Sequence, residues 1–174
     1  MNLQEFRNYQ QDLILGASLN VTAPTGQYDS SRLVNLGTNR WSVRPELGAS
    51  KAFGPLTIEL SAGPTFFTDN ANFLNGRTRS QDPIVSGQAH AIYDFGFGIW
   101  GSLDGQYWTG GSTAVDGKGN HDLQRNSRFG GTVALPLGRN YSLKFFGSTG
   151  ISARTGNNYG LVGILVQYRW GAGL

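Results

Sequence analysis

Hydrophobic and polar residues alternate one by one along eight segments of the chain. In a β-strand this alternation places every second side chain on the same face, so each segment has one apolar face and one largely polar face. The segments are residues 13–23, 41–51, 57–67, 83–95, 99–109, 127–137, 141–154 and 159–170. They contain about eleven residues each, close to the roughly 9 to 11 that a tilted strand needs to cross a bilayer. The pattern predicts an all-β fold of about eight strands.

The connections between the predicted strands alternate between short and long. Three are tight turns, at residues 53–56, 96–98 and 138–140. Three are long polar loops rich in Gly, Asn and Asp, at residues 24–40, 68–82 and 110–126. Short turns at one end and long loops at the other are typical of antiparallel up-and-down transmembrane β-barrels of the bacterial outer membrane. The short turns and both ends of the chain are therefore predicted to lie in the periplasm.

Aromatic residues lie where two membrane interfaces are expected. At the strand ends next to the long loops they are Trp41, Phe66, Phe67, Tyr107, Trp108, Phe129 and Tyr159. At the ends next to the short turns they are Phe53, Tyr93, Phe95, Trp100, Tyr141, Tyr168 and Trp170. Amphipathic rings concentrate at head-group depth, so the two groups predict the two aromatic girdles of a barrel.

The composition favours a membrane barrel over a soluble one. A soluble β-sandwich or lipocalin-like barrel would also alternate, but soluble surfaces carry about 25 to 35% charged residues. Here charged residues make up 14% of the chain and glycine occupies 26 positions. The polar faces consist mostly of Ser, Thr, Gly and Gln, which is typical of a wet lumen. The apolar faces then contact outer-membrane lipid, and the barrel assembly machinery is an expected partner.

Composition also excludes several other classes of protein. No apolar run approaches the roughly 20 residues of a membrane helix. The net charge is +3 and the basic residues are scattered, so the sequence contains no basic cluster that would indicate a nucleic-acid interface. Cysteine is absent, which removes disulfides and thiolate metal sites. We expect neither a cofactor nor a bound metal.

Charged and amide side chains on the predicted inward faces form the candidate lumen lining. They are Arg44, Glu46, Glu59, Gln88, His90, Asp94, Asp104, Arg128, Lys144, Arg154, Gln167 and Arg169. Opposite charges on neighbouring strands can brace a lumen or select solutes. Side chains fill a closed eight-stranded barrel, whereas a wider barrel leaves water. A channel and a filled structural or adhesive barrel therefore both remain open.

Two histidines are the candidates for catalysis. His90 lies four residues from Asp94 on one predicted strand face, which suits either a general base oriented by a carboxylate or a hydrogen-bond network in the lumen. His121 lies in a long loop near Asp122 and Ser127, the residue types that a barrel lipase or acyltransferase would use. Spacing alone places no nucleophile beside either histidine, so we expect no enzymatic activity.

Characteristic stretches occur along nearly the whole chain. They are residues 24–29 (PTGQYD), 32–41 (RLVNLGTNRW), 44–48 (RPELG), 66–70 (FFTDN), 78–83 (TRSQDP), 88–90 (QAH), 107–111 (YWTGG) and 167–171 (QYRWG). In these stretches the sequence resembles the meta-pathway phenol degradation family of outer-membrane transporters. The resemblance implies passage of small organic compounds, aromatic ones included, and it supplies no catalytic residues.

Residues 1–174 are predicted to form one outer-membrane barrel domain, with residues 1–11 as a periplasmic lead-in. The lead-in has no cationic head, apolar core or small-residue cleavage site, so it is not a secretory signal. Members of the resembled family usually carry a signal peptide and further strands before the segment similar to Glu5–Gln11. We therefore expect a signal peptide and upstream strands to precede this segment, within a wider barrel.

Overall fold

Twelve strands make up the regular structure of the computed structural model, which describes residues 13–156 and 158–170. They are β1 (Leu13–Thr22), β2 (Ser42–Phe53), β3 (Leu56–Phe67), β4 (Asn70–Phe73), β5 (Arg77–Gln81), β6 (Ile84–Gly96), β7 (Ile99–Gly110), β8 (Thr113–Val115), β9 (Lys118–Gly119), β10 (Gln124–Leu137), β11 (Tyr141–Ala153) and β12 (Leu161–Tyr168). Within the described part of the chain, no helix has the length and apolarity needed to cross a membrane. The lead-in predicted over residues 1–11 lies outside the described residues.

Eight of the strands form one antiparallel sheet in the order β1-β2-β3-β6-β7-β10-β11-β12. Each strand pairs with the next long strand along the chain. The predicted up-and-down order and the predicted number of long strands are therefore confirmed. Among the described residues, β1 and β12 are the two edges of this sheet.

The main sheet exposes its apolar side chains, whereas a soluble protein buries most of them. Its outward apolar side chains are exposed, as shown by Leu47 at 70%, Leu60 at 56% and Leu103 at 59%. Within the described residues, only Phe73 and Ala134 are apolar side chains classed as buried. A soluble sheet of this size would bury one face against a core. The missing core and the continuous exposed apolar face fit lipid as the surrounding solvent.

Aromatic contacts mark the end of the main sheet that lies next to the short turns. The ring centroids of Tyr93 and Phe95 are 4.9 Å apart, and those of Tyr141 and Tyr168 are 4.8 Å apart. Trp170 stacks on Tyr168 at 5.9 Å. Tyr141 of β11 and Tyr168 of β12 thus place rings of adjacent strands at the same level, as in an aromatic girdle.

The long loops contain a second sheet that the sequence did not predict. β4, β5, β8 and β9 pair in that order as a four-stranded antiparallel sheet. We call this sheet, together with residues 24–41, the external cap. Its strands have five residues or fewer, which is too short for alternation to distinguish a strand from a polar loop.

Gly110 explains how the chain leaves the main sheet for the cap. It has a φ of 112°, and a Cβ there would lie 2.2 Å from the carbonyl oxygen of Pro83. Only glycine tolerates both the positive φ and this close approach. The chain can therefore turn sharply from β7 towards β8 while remaining against the start of β6.

Candidate functional site

A row of polar side chains crosses four neighbouring strands on the inward face. Ser50 of β2, Glu59 of β3, His90 of β6 and Asp104 of β7 are successive partners in the strand register. Ser50 Oγ donates a hydrogen bond to Glu59 Oε1 at 3.1 Å. His90 Nδ1 lies 2.6 Å from Asp104 Oδ1. Ser102 Oγ donates to the other oxygen of Asp104, Oδ2, at 3.0 Å.

The His90–Asp104 pair has a defined chemistry. An ionised carboxylate can only accept hydrogen bonds, so Nδ1 carries the proton in this contact and Nε2 is the second ring nitrogen. Both side chains are about one-third exposed, at 33% and 30%. Ser102 donates to Asp104 rather than to His90, so this is not a serine nucleophile activated by a histidine base. The pair instead presents polar groups to the inward space.

The sequence suggested Asp94 as a partner of His90, and the structure corrects this. Asp94 lies near the end of β6 that leads into β7, where its Oδ1 accepts a hydrogen bond from the backbone N–H of Gly96 at 2.8 Å. It therefore stabilises the turn into β7. His90 pairs across the sheet with Asp104, because the register places these two residues opposite each other.

Arg44 and Glu46 form a second inward pair. They lie two residues apart on β2, on the same face, and the guanidinium forms a salt bridge with the Glu46 carboxylate. The side chains are 31% and 24% exposed. Arg44 Nε is buried and has no hydrogen-bond partner among the described residues. The β2–β3 pairs on either side of this segment place Pro45 opposite Pro64, and neither proline can donate to the strand ladder.

A depression of about 210 Å³ lies on the polar face beside the His90–Asp104 pair. Gly130 forms part of its floor, and a Cβ there would meet the Gly147 carbonyl oxygen at 2.8 Å. The lining also includes Gln88, Gln106, Arg128, Phe129, Thr132, Phe146 and Ser148. Phe146 contributes an aromatic ring to the lining, and this ring lies over Gly163 of β12.

Two cations are held on the polar face by aromatic rings. Arg128 Nη2 donates to Ser148 Oγ at 3.0 Å and to the Tyr159 carbonyl oxygen at 3.1 Å. Its guanidinium lies 4.1 Å above the Tyr159 ring. Lys144 Nζ lies 5.2 Å from the centre of the Trp100 ring. Cations over aromatic faces are attracted by the ring quadrupole, so both signs of charge are fixed on the inward face.

Arg154 does not continue the inward row that the alternation predicted. A β-bulge shifts the register of β10 and β11 between Ser127 and Arg128, so that Arg128 pairs with Gly150 while Ser127 pairs with Ser152. One extra residue moves the following side chains to the opposite face. Arg154 therefore lies beyond the end of β11 and out of the inward row. Its backbone N–H donates to Asn126 Oδ1 at 2.9 Å.

Gln167 and Arg169 lie at the β12 edge of the main sheet. Gln167 pairs with Ser142 and shares its inward face. Arg169 follows the end of β12, and its backbone N–H donates to the Asn140 carbonyl oxygen at 2.7 Å. Both side chains are exposed.

The residues that lie near His121 in the sequence form hydrogen bonds with other partners. His121 is exposed and adopts a φ of 53°. The Asp122 carboxylate accepts two hydrogen bonds from Thr113, from the backbone N–H and from the hydroxyl, each 2.7 Å long. Ser127 Oγ lies 2.9 Å from Ser152 Oγ. The described residues contain no group of three or more His, Cys, Asp or Glu side chains that could hold a metal ion.

The hydrogen bonds that Asn70 forms at the centre of the external cap were not predicted from the sequence. Asn70 is 3% exposed. Its Nδ2 donates to the Tyr28 hydroxyl at 2.9 Å, and its Oδ1 accepts from Asn39 Nδ2 at 2.9 Å and from the Asn72 N–H at 3.0 Å. Asn70 therefore ties residues 24–41 to β4. In the sequence, Asn70 stands out only as part of the characteristic stretch 66–70.

Comparison with known proteins places this geometry in context. A family model described as "Putative MetA-pathway of phenol degradation" matches residues 5–170. The crystal structure of an outer-membrane channel from Pseudomonas putida F1 matches with a TM-score of 0.78 and 25% sequence identity, over 88% of this chain and 58% of the channel. No curated protein matches the sequence significantly. These similarities confirm the predicted outer-membrane barrel fold and the bacterial outer membrane as its location.

Proposed function

The chain belongs to the family described as "Putative MetA-pathway of phenol degradation", and from this premise we propose that it forms the wall of an outer-membrane channel for small organic molecules. The segment spans 58% of the length of the Pseudomonas channel that it resembles. Conduction is a property of the whole protein. A water-filled lumen also requires a barrel wider than a closed eight-stranded one, whose interior side chains would fill.

The observation that carries the proposal is the placement of ionisable side chains on one face of the main sheet. Glu59, His90, Asp104 and Lys144 lie on the polar face, and each has a polar or aromatic partner there. The opposite face is apolar and exposed. Charges in a closed, filled interior are costly unless completely paired, so several charges with so few partners support a lumen that contains water.

Aromatic compounds are the solute class that we propose. The family name points to phenol degradation, and the depression beside His90 combines the Phe146 ring with several hydrogen-bonding groups. An aromatic solute with one polar substituent could stack on the ring while its substituent contacts the polar side chains. The depression would then be a brief stopping point along the lumen.

We propose transport rather than catalysis, with lipid around the barrel and small solutes within it. The hydrogen bond from Ser102 to Asp104 supports this, because a hydrolase would direct its nucleophile towards the base. We also propose that the barrel assembly machinery inserts the protein and that nucleic acid is not a partner. The scattered distribution of basic residues supports the last point.

Ion selectivity in a planar bilayer tests the channel proposal. In the full-length protein, Glu59→Gln should lower the preference for cations and Lys144→Met should raise it, because each removes one lumen charge. Neither change should greatly affect thermal stability, since partly solvated pairs contribute only about 0 to 1 kcal/mol. Absent conductance together with severe destabilisation by both changes would favour the filled barrel. Lipid or ester hydrolysis that disappears in His90→Ala would favour an enzyme.

Current blockades by phenol test the proposed solute class. Phe146→Ala should shorten the blockades because it removes the aromatic ring that the polar face contributes to the depression. Phe145→Ala is the matched control, since Phe145 is the neighbouring residue on the lipid face. Equal shortening in both variants, or none in either, would contradict a stopping point at Phe146.

A further inference from the structure

Two arginines of the external cap line one small pocket. Arg40 lies just before β2, and Arg79 is the middle residue of β5. The pocket has a volume of about 110 Å³. It is lined by Arg40, Arg79, Tyr28, Leu33, Asn35, Gly37, Thr38, Asn70 and Phe73. The stretch 78–83, which contains Arg79, has no role in the proposed lumen.

Arg40 is held in place without a neutralising carboxylate. Its Nη2 donates to Gln81 Oε1, and its guanidinium lies 4.5 Å from the centre of the Phe67 ring. Its Nη1 is buried and has no hydrogen-bond partner among the described residues. Burial lowers the pKa of Arg40, and the nearby charge of Arg79 lowers it further, against an opposing effect from Asp69. Arg40 is therefore a half-buried cation that no carboxylate of the described residues contacts directly.

Arg79 supplies the second positive charge. Its guanidinium lies 5.2 Å from the centre of the Phe73 ring. Asp122 is an electrostatic neighbour, but its carboxylate oxygens accept hydrogen bonds from Thr113. Within the described part of the chain, neither Arg40 nor Arg79 forms a salt bridge. Two like charges close together are stabilised when an anion lies between them.

We propose that this pocket binds the carboxylate of a small organic anion with an apolar body. Guanidinium groups present a planar fork of donors that matches a carboxylate, and two of them line the pocket. Phe73 and Leu33 supply apolar lining. Since one water occupies roughly 30 Å³, the pocket holds a carboxylate group and a few carbon atoms.

The rest of such a ligand has space next to the pocket. A wider cavity of about 790 Å³ shares Leu33, Phe73 and Arg79 with the smaller one. The carboxylate would occupy the small pocket, and the apolar body would extend along Phe73 into the wider cavity. Binding at the cap does not require passage through the lumen, so the site is independent of the proposed channel.

Calorimetric titration of the full-length protein in detergent with benzoate tests this site, with benzamide as the neutral analogue. Benzoate should bind, and benzamide should bind at least roughly tenfold more weakly, because it lacks the charge that the arginines recognise. Arg79→Gln should weaken benzoate binding roughly 10- to 100-fold, and Arg79→Lys should have a smaller effect because it keeps the charge but loses the fork.

Arg32→Gln provides the matched control. Arg32 lies in the external cap, is paired with Asp29 at 3.2 Å, and lines neither the small pocket nor the wider cavity. Its loss should leave benzoate affinity unchanged. Hydrogen exchange of the cap amides shows whether the cap is folded in each variant. If the cap unfolds in Arg79→Gln, the benzoate affinity of Arg79→Lys tests the site instead.

Three outcomes would overturn the site. The first is equal binding of benzoate and benzamide. The second is unchanged benzoate affinity in both Arg79 variants with a folded cap. The third is inorganic phosphate binding more tightly than benzoate in an Arg79-dependent way, which would assign the arginines to a phosphate group, free or carried by a lipid. Single-channel conductance is recorded separately, so failure of the channel leaves this test intact.

Discussion

Leu60 and Ser61 offer a direct test of which face contacts lipid. They are neighbours on β3, and the register assigns them to opposite faces of the sheet. Leu60 is 56% exposed on the apolar face. Ser61 lies between Gly48 and Gln88 on the polar face. Arginine at each position places the same cation at nearly the same depth but in opposite surroundings.

The depth of Leu60 sets the size of the effect. Leu60 is the fifth of the 12 residues of β3. With a rise of about 3.3 Å per residue and a tilt of about 45°, it lies roughly 10 Å from the periplasmic end of an apolar band about 25 Å tall. An arginine near mid-bilayer on the lipid face costs roughly 2 to 4 kcal/mol, a factor of roughly 30 to 700 in the folding equilibrium. Ser61→Arg should cost about 0.5 kcal/mol or less.

Equilibrium refolding from urea into phospholipid vesicles measures both variants. Tryptophan fluorescence and the shift in gel mobility between folded and heat-denatured protein give the folded fraction independently. Leu60→Arg should lower the urea midpoint strongly, while Ser61→Arg stays close to the parent protein. Equal loss in both variants, or a larger loss in Ser61→Arg, would refute the assignment of the apolar face to lipid.

Three further predictions concern the cap and the depression. Asn70→Ala should lower the free energy of cap opening by roughly 1 to 3 kcal/mol, because it leaves buried partners without hydrogen bonds, and hydrogen exchange of the β4 amides measures this. Burial opposes the charge of Asp122, but hydrogen bonds from Thr113 and the charge of Arg79 outweigh it and hold the pKa of Asp122 below its ordinary value; this stabilisation is therefore complete above about pH 4 and lost as pH falls through the folded-state pKa. In the parent protein, pepsin should cleave the cap more readily as the pH falls through the pKa of Asp122. In Asp122→Asn, the susceptibility of the cap to cleavage should not change with pH in this way. Gly130→Ala should destabilise the barrel by roughly 1 to 3 kcal/mol through overpacking, whereas Gly48→Ala, whose added carbon would make only ordinary contacts, should change the urea midpoint little.

The sequence predicted the long strands because the bilayer imposes a strict pattern on them. Lipid on one side and polar groups on the other require every second residue to match its surroundings. The predicted segment 83–95 became β6 at Ile84–Gly96, and 57–67 became β3 at Leu56–Phe67. The alternation failed at the bulge beside Arg128, since one inserted residue reverses the faces without a strong signal in the sequence.

Contacts between distant residues could not be predicted in the same way. The alternation assigned His90 to the polar face of its strand, but its partner Asp104 follows from the register of β6 and β7, which one strand alone does not reveal. The cap posed a harder problem, because its short strands pair across separate loops. Asn70 ties residues 24–41 to β4 through side-chain hydrogen bonds. Hydrogen bonds between side chains that are far apart in the chain produce no periodic pattern of hydrophobic and polar residues.

Thiol modification during conductance recording tests the central claim most directly. The chain contains no cysteine, so Thr132→Cys on the inward face and Val133→Cys on the lipid face each introduce a single thiol into this segment. A charged, membrane-impermeant thiol reagent should react with the residue at 132 and reduce the single-channel current, while the neighbouring position should show neither reaction nor current change. Current loss at position 133 without loss at 132, or absence of any current from the full-length protein, would contradict a polar lumen on the face that carries His90 and Asp104.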